Sequence, residues 1–248
     1  MRLLLIGATG TPYFEHCRQE IIDFLGSAKS LGFVSAANLF DEDAYFYAIQ
    51  TQLIETARPI SGQLVHIRWD SNWRDGLARV DAVLVGGGNT YALLGRLRQS
   101  GLLHDLREKV RNGLPYIGSS AGANIAGPNI LTTNDWNVVG LTDFESLEFV
   151  PFNINPHYIE GTERGAPHSE TRDLRIREYH QVRRNPVVAI EEKAALRVER
   201  GKARIVGKGN VKAFLCDAED RVFKPGDELV LEDARDSAAG EREAQVKD

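Results

Sequence analysis

The chain has 248 residues, with 35 Asp and Glu against 30 Lys and Arg and a formal charge of −5. The two signs are interspersed, which leaves no basic face for nucleic acid and no polybasic run for a membrane surface, so the expected partner is a small molecule. Cys17 and Cys216, the only cysteines, have neither C-x-x-C spacing nor a companion histidine cluster, which argues against a disulfide framework or a zinc site.

In chain order, short apolar runs recur at residues 3–6, 32–34, 64–67, 82–85 and 116–117, each bounded by Gly, Asp or Asn. The first is far too short for a signal h-region, and no later run approaches a membrane span, so a cytoplasmic protein is expected. Helical periodicity fills the intervals at 14–25, 43–57, 90–98 and 103–112, the last closed by Gly113 as a C′ glycine. Unbroken apolar strands alternating with helices predict an α/β fold, a doubly wound and mostly parallel sheet with helices on both faces. After the run at 187–190 the pattern changes. Short alternating runs from 195 to 231, with turns at Arg200-Gly201 and Pro225-Gly226, predict antiparallel strands at one edge of that sheet. Residues 1–231 read as one domain. Residues 232–248 are charged and small and read as a disordered tail.

Gly118-Ser119-Ser120-Ala121-Gly122 follows the fifth apolar run and opens a helix-compatible segment. A G-x-S-x-G set between strand and helix is the pattern of a nucleophile elbow, which makes Ser120 the candidate nucleophile. Gly86-Gly87-Gly88-Asn89-Thr90 follows the fourth run. Successive glycines expose backbone N–H groups at the carboxyl edge of the sheet, where open α/β folds place ligands. Without a P-loop lysine or G-x-G-x-x-G spacing, the loop reads as an oxyanion hole. The turn Gly7-Ala8-Thr9-Gly10 lacks a third glycine and reads as structural.

A serine needs a base, and among six histidines His157 is the best placed, in the strand-like run Asn153-Ile154-Asn155-Pro156-His157. His16, His104 and His180 sit in helical patterns among charges and are expected on the surface, whereas His66 is expected as a satisfied core or edge histidine. The imidazole needs a carboxylate, for which Asp135 and Glu192 both qualify. In Glu170-Thr171-Arg172, Arg172 opens a helix beside a Gly- and Pro-containing loop, and its planar guanidinium suits an acidic substrate.

These five motifs, with Thr132-Thr133-Asn134-Asp135 among them, closely resemble the S51 serine peptidase family over residues 3–231. The resemblance implies a fold similar to class I glutamine amidotransferases, no cofactor, a homodimer, and hydrolysis of dipeptides with an N-terminal aspartate through an acyl-enzyme. It implies Ser120 as nucleophile, His157 as base and Glu192 as third member, with Asp135 competing for that role. It implies oxyanion donation from the Gly88 and Ala121 N–H groups, substrate contacts at Asn89 and Glu170, and capture of the substrate aspartate by Arg172. The sequence departs from the family pattern with Ser119 for Trp, Tyr91 for Phe and Lys193 for Gly. Alternatives are a cyanophycinase-like β-aspartyl peptidase and a catalytically silent binding module.

Overall fold

The computed structural model describes residues 1–10, 12–56, 64–161 and 170–231; the expected tail at 232–248 lies outside them. In chain order the elements are β1 (Arg2–Ile6), α1 (Arg18–Leu25), β2 (Leu31–Val34), α2 (Glu42–Thr56), β3 (Leu64–Ile67), α3 (Trp73–Ala78), β4 (Ala82–Val85), α4 (Thr90–Ser100), α5 (Leu102–Arg111), β5 (Tyr116–Ser119) and α6 (Ala121–Asn124). There follow β6 (Asn153–Tyr158), α7 (Arg172–Val182), β7 (Val187–Glu191), β8 (Ala194–Glu199), β9 (Lys202–Gly207), β10 (Val211–Phe214) and β11 (Arg221–Phe223).

A seven-stranded sheet has the order β3-β2-β4-β5-β1-β8-β9, with its first five strands mutually parallel. Successive residues of a strand point to opposite faces. Along β1, Leu3 and Leu5 join one apolar cluster while Leu4 and Ile6 join the other, and all four are fully buried. Burial on both faces is why the run is apolar without alternation. Each such side chain contributes about 1.5–3 kcal/mol of burial.

The antiparallel strands are not all at one edge, and this corrects the expectation. β8 and β9 do extend the large sheet beyond β1, joined through Arg200 and Gly201, both at positive φ (53° and 79°), as a two-residue hairpin of type I′ requires. β10 and β11 instead join β7 and β6 in a second sheet of order β11-β10-β7-β6, where β6 and β7 are parallel. Alternation marks a strand but does not say which neighbour it pairs with. The first helical segment is also shorter than expected, because Phe14 takes a left-handed φ of 61° and a 3₁₀ turn at Glu15–Cys17 precedes α1. No helix among the described residues is long and apolar enough to cross a membrane.

Two histidines expected on the surface are not there. His180 is buried with its Nε2 3.2 Å from the Asn185 carbonyl oxygen, and His16 is half-buried. His66 is satisfied as expected, its Nε2 2.8 Å from the Ser35 hydroxyl. Desolvation lowers all three pKa values below the ordinary value near 6.5. The unfolded chain therefore binds more protons than the native one below about pH 6.5, and stability falls as pH drops through that window. Urea midpoints measured from pH 7.5 to 5.0 should fall, and His66→Gln and His180→Gln should each flatten the slope.

Candidate active site

The carboxyl ends of β4, β5 and β1 lie side by side, so the loops following all three converge on one edge of the sheet. Ser120 stands at the β5 to α6 turn with φ 53° and ψ −110°, a conformation that costs about 1–3 kcal/mol for a residue with a Cβ. The turn holds because the Ser120 N–H donates to the Ile6 carbonyl at 3.0 Å, while the Ser120 carbonyl accepts from Asn124 N–H at 2.9 Å. It also needs Gly122, because a methyl group there would overlap the Val85 carbonyl oxygen.

His157 arrives from the second sheet. The β6–β7 register shifts between Pro156 and Tyr158, His157 takes φ 55°, and its N–H donates to the Gly7 carbonyl at 3.1 Å. A bulge of this kind re-aims one side chain out of the strand alternation. His157 Nε2 lies 2.8 Å from Ser120 Oγ, and Nδ1 lies 3.3 Å from Glu192 Oε1, just beyond the end of β7. The side chains of His157 and Glu192 are 40% and 61% exposed, so the chain of contacts opens to solvent.

Asp135 stands elsewhere. Its Oδ2 accepts from Thr90 N–H at 2.7 Å, Thr90 Oγ1 at 2.6 Å and Thr133 Oγ1 at 3.2 Å. It therefore satisfies the first turn of α4. Asn89 caps the same helix by accepting from Ala92 N–H at 2.9 Å, and its amide donates to the Trp136 carbonyl at 2.9 Å. The side chains of Asp135 and Asn89 are thus engaged with the scaffold, and neither touches the imidazole.

In the glycine loop nearly every N–H is taken. Gly86 donates to Val34, Asn89 to Ala37, Gly87 to the Tyr45 hydroxyl at 3.1 Å, and Thr90 to Asp135. Among the described residues this leaves Gly88 N–H without a protein acceptor. Gly88 sits at φ 137° with the Ala37 carbonyl where a side chain would be, so no other residue fits without strain. Ala121 N–H, in the first turn after the nucleophile, likewise has no acceptor among the described residues.

Glu170 and Arg172 line a cavity of about 140 Å³ with Asn134, Ile159, Gly161 and Arg175. Thr171 caps α7 by accepting from Leu174 N–H at 3.1 Å, and Glu170 pairs with Arg175 at 3.4 Å. Asn134, in the lining of this cavity, donates its amide to the carbonyl of Pro156, the residue before His157, at 2.8 Å.

Sequence reasoning missed two supports. Tyr45 of α2 holds Gly87, and burial pushes its phenol pKa up, keeping the hydroxyl protonated. Thr9, in the turn after β1 that reads as purely structural, meets Ser119 Oγ at 3.0 Å beside the nucleophile. No residue pattern announces Tyr45. The small Ser119 in a position where the family pattern has Trp was a signal for the Thr9 contact.

The profile of Peptidase family S51 matches residues 3–206. The chain belongs to that family. Curated relatives include Peptidase E of Streptomyces coelicolor, 38% identical over 232 residues that cover 92% of this chain and 93% of the relative. The probable alpha-aspartyl dipeptidase of Drosophila melanogaster is 39% identical over 230 residues, 90% of this chain and 93% of its own. Among solved structures, a putative peptidase E protein from Listeria monocytogenes EGD-e aligns with TM-score 0.64 at 24% identity, over 84% of this chain and 98% of that one. A peptidase from an acI-B1 Actinobacterium aligns with TM-score 0.67 at 17% identity, over 93% and 96%. Both share the fold of this S51 chain, which is of the class I glutamine amidotransferase type.

Proposed function

We propose that this S51 chain is a serine-type dipeptidase releasing N-terminal aspartate through an acyl-enzyme on Ser120. The observation that carries the reading is the 2.8 Å approach of Ser120 Oγ to His157 Nε2 across the seam of the two sheets. His157 removes the hydroxyl proton, the alkoxide attacks the carbonyl of the aspartyl residue, and the N–H groups of Gly88 and Ala121 hold the oxyanion. The protonated imidazole then gives its proton to the leaving amine, and water completes the turnover. Glu192 is the proposed third member, since its carboxylate is the one beside Nδ1.

Glu192→Gln should lower kcat by about 10²-fold with unchanged unfolding, whereas Asp135→Ala should mainly cost about 1–2 kcal/mol of stability by uncapping α4. Steady-state kinetics and urea denaturation of both variants separate the two roles.

The relative named as a probable alpha-aspartyl dipeptidase supports the substrate, together with a cavity whose described lining includes Arg172, Arg175 and Glu170. Arg172 is the proposed grip on the substrate side chain, a group remote from the scissile bond. Release of aspartate from Asp-Leu, compared with cleavage of Glu-Leu, Leu-Leu and a β-linked aspartyl dipeptide, tests the assignment. Asp-Leu should be strongly preferred, and Arg172→Ala should reduce its kcat/KM by about 10²-fold. Equal rates on Asp-Leu and Leu-Leu would reject it, and faster cleavage of the β-linked substrate would favour the cyanophycinase-like activity. Cytoplasmic residence and a homodimer complete the proposal, supported by unpaired Cys17 and Cys216 and by the family resemblance respectively.

A further inference from the structure

Lys212, on β10, carries an ammonium whose side chain is only 12% exposed, and three carboxylates surround it. Asp173 Oδ2 lies at 2.9 Å, with Glu160 and Asp220 each at 3.7 Å. The ammonium also sits over the Phe214 ring at 4.8 Å and the Tyr158 ring at 5.9 Å. The other oxygen of Asp173, Oδ1, accepts from the Tyr158 hydroxyl at 2.8 Å.

A partly buried ion group of this kind is a poor source of net stability, because desolvation of the ammonium and solvent screening of the more exposed carboxylates offset most of the attraction. Its effect here is geometric. Asp173 follows Arg172, and Tyr158 follows His157, so one ammonium fixes the first turn of the helix bearing the guanidinium against the strand bearing the base. The rest of α7 is held differently, by Ile176 packed with Tyr158, Val187, Ala189 and Phe214, and by Tyr179 bonded to Asn153 at 3.1 Å. Among the described residues the Thr171 cap and the Glu170–Arg175 pair also hold the end of the helix where Arg172 stands, and the ionic contacts tie that end to the strand bearing the base.

We infer that Lys212, acting through Asp173 and Tyr158, is a positioning residue that sets Arg172 at the distance from His157 needed to select an acidic side chain. The inference rests on the reading of Arg172 as the grip on substrate aspartate. Misplacement of a binding group by about 1 Å is enough to cost up to about 10²-fold.

A double-mutant cycle on the full chain tests this. Lys212→Met should lower kcat/KM on Asp-Leu by about tenfold, chiefly through KM, yet change it less than twofold when added to Arg172→Ala. Tyr158→Phe keeps the ring and removes only the hydroxyl. It should give a smaller loss, about threefold, that also vanishes in the Arg172→Ala background, which keeps the test intact if Lys212→Met folds poorly. Equal losses in both backgrounds, or no loss from either variant, would overturn the inference while leaving the dipeptidase reading standing. Failure of the unsubstituted chain to release aspartate from Asp-Leu would overturn both.

Discussion

Ser120→Ala is expected to lower kcat for Asp-Leu by about 10⁴-fold or more while KM moves only a few fold. The hydroxyl takes no part in binding the substrate ground state, so its loss removes the covalent step and little else. The left-handed backbone at Ser120 is tolerated as readily by alanine as by serine, and the hydrogen bonds holding the turn come from the main chain. The variant should therefore unfold at the same urea concentration as the parent. Adding His157→Ala to it should cost almost nothing further, because a base without its nucleophile has no proton to take. Steady-state kinetics of the two single variants and the double variant, with denaturation curves beside them, measure this directly. A Ser120→Ala protein retaining a tenth of the parent rate would be incompatible with the mechanism.

Gly122→Ala is expected to destabilise the protein by about 3 kcal/mol and to abolish turnover. The turn after β5 folds the chain back so tightly that the Gly122 backbone lies directly against the Val85 carbonyl. A methyl group has nowhere to go, because its nearest neighbour is main chain of a central strand and not the end of a flexible side chain, and overpacking of that kind costs about 1–3 kcal/mol or more. Any relief must shift either β4, which leads into the loop holding the Gly88 donor, or Ala121, the other oxyanion donor of the proposed site. Gly95 provides the control. It lies in α4, where an added methyl would meet only Leu141 Cδ1 at 3.6 Å, so Gly95→Ala should be neutral or stabilising by up to about 1 kcal/mol. The difference between the two variants in urea midpoint, rather than either value alone, isolates the close approach at the elbow.

The parallel half of the fold was legible because burial on both faces leaves a readable trace, the unbroken runs of β1 and β4, with small residues where the chain must turn sharply. Ser120 and His157 were legible as candidates for a related reason: a glycine-flanked turn and an Asn-Pro strand end each leave a local mark, though the bulge that aims His157 does not. The second sheet was not. β10 and β11 alternate like any edge hairpin, and the choice between β9 and β7 as neighbour depends on packing across the molecule. Lys212 shows the same limit, since a lysine in a short alternating strand looks solvated until three carboxylates close around it. Asp135 and Glu192 were indistinguishable because a Thr-Thr-Asn-Asp segment serves equally well to cap a helix or to orient an imidazole. Their contacts separate them, Asp135 lying against Thr90 and Glu192 beside His157 Nδ1. α3 has six residues, too few for a period of 3.6 to declare itself.

In the proposed mechanism Ser120 is an activated nucleophile held by His157. Incubation of the intact protein with a serine-directed fluorophosphonate, followed by peptide mass mapping, tests it most directly. A single adduct on Ser120 is expected, formed with loss of activity and absent from the folded His157→Ala variant. No adduct, an adduct on another residue, or undiminished labelling of Ser120 without His157 would contradict it.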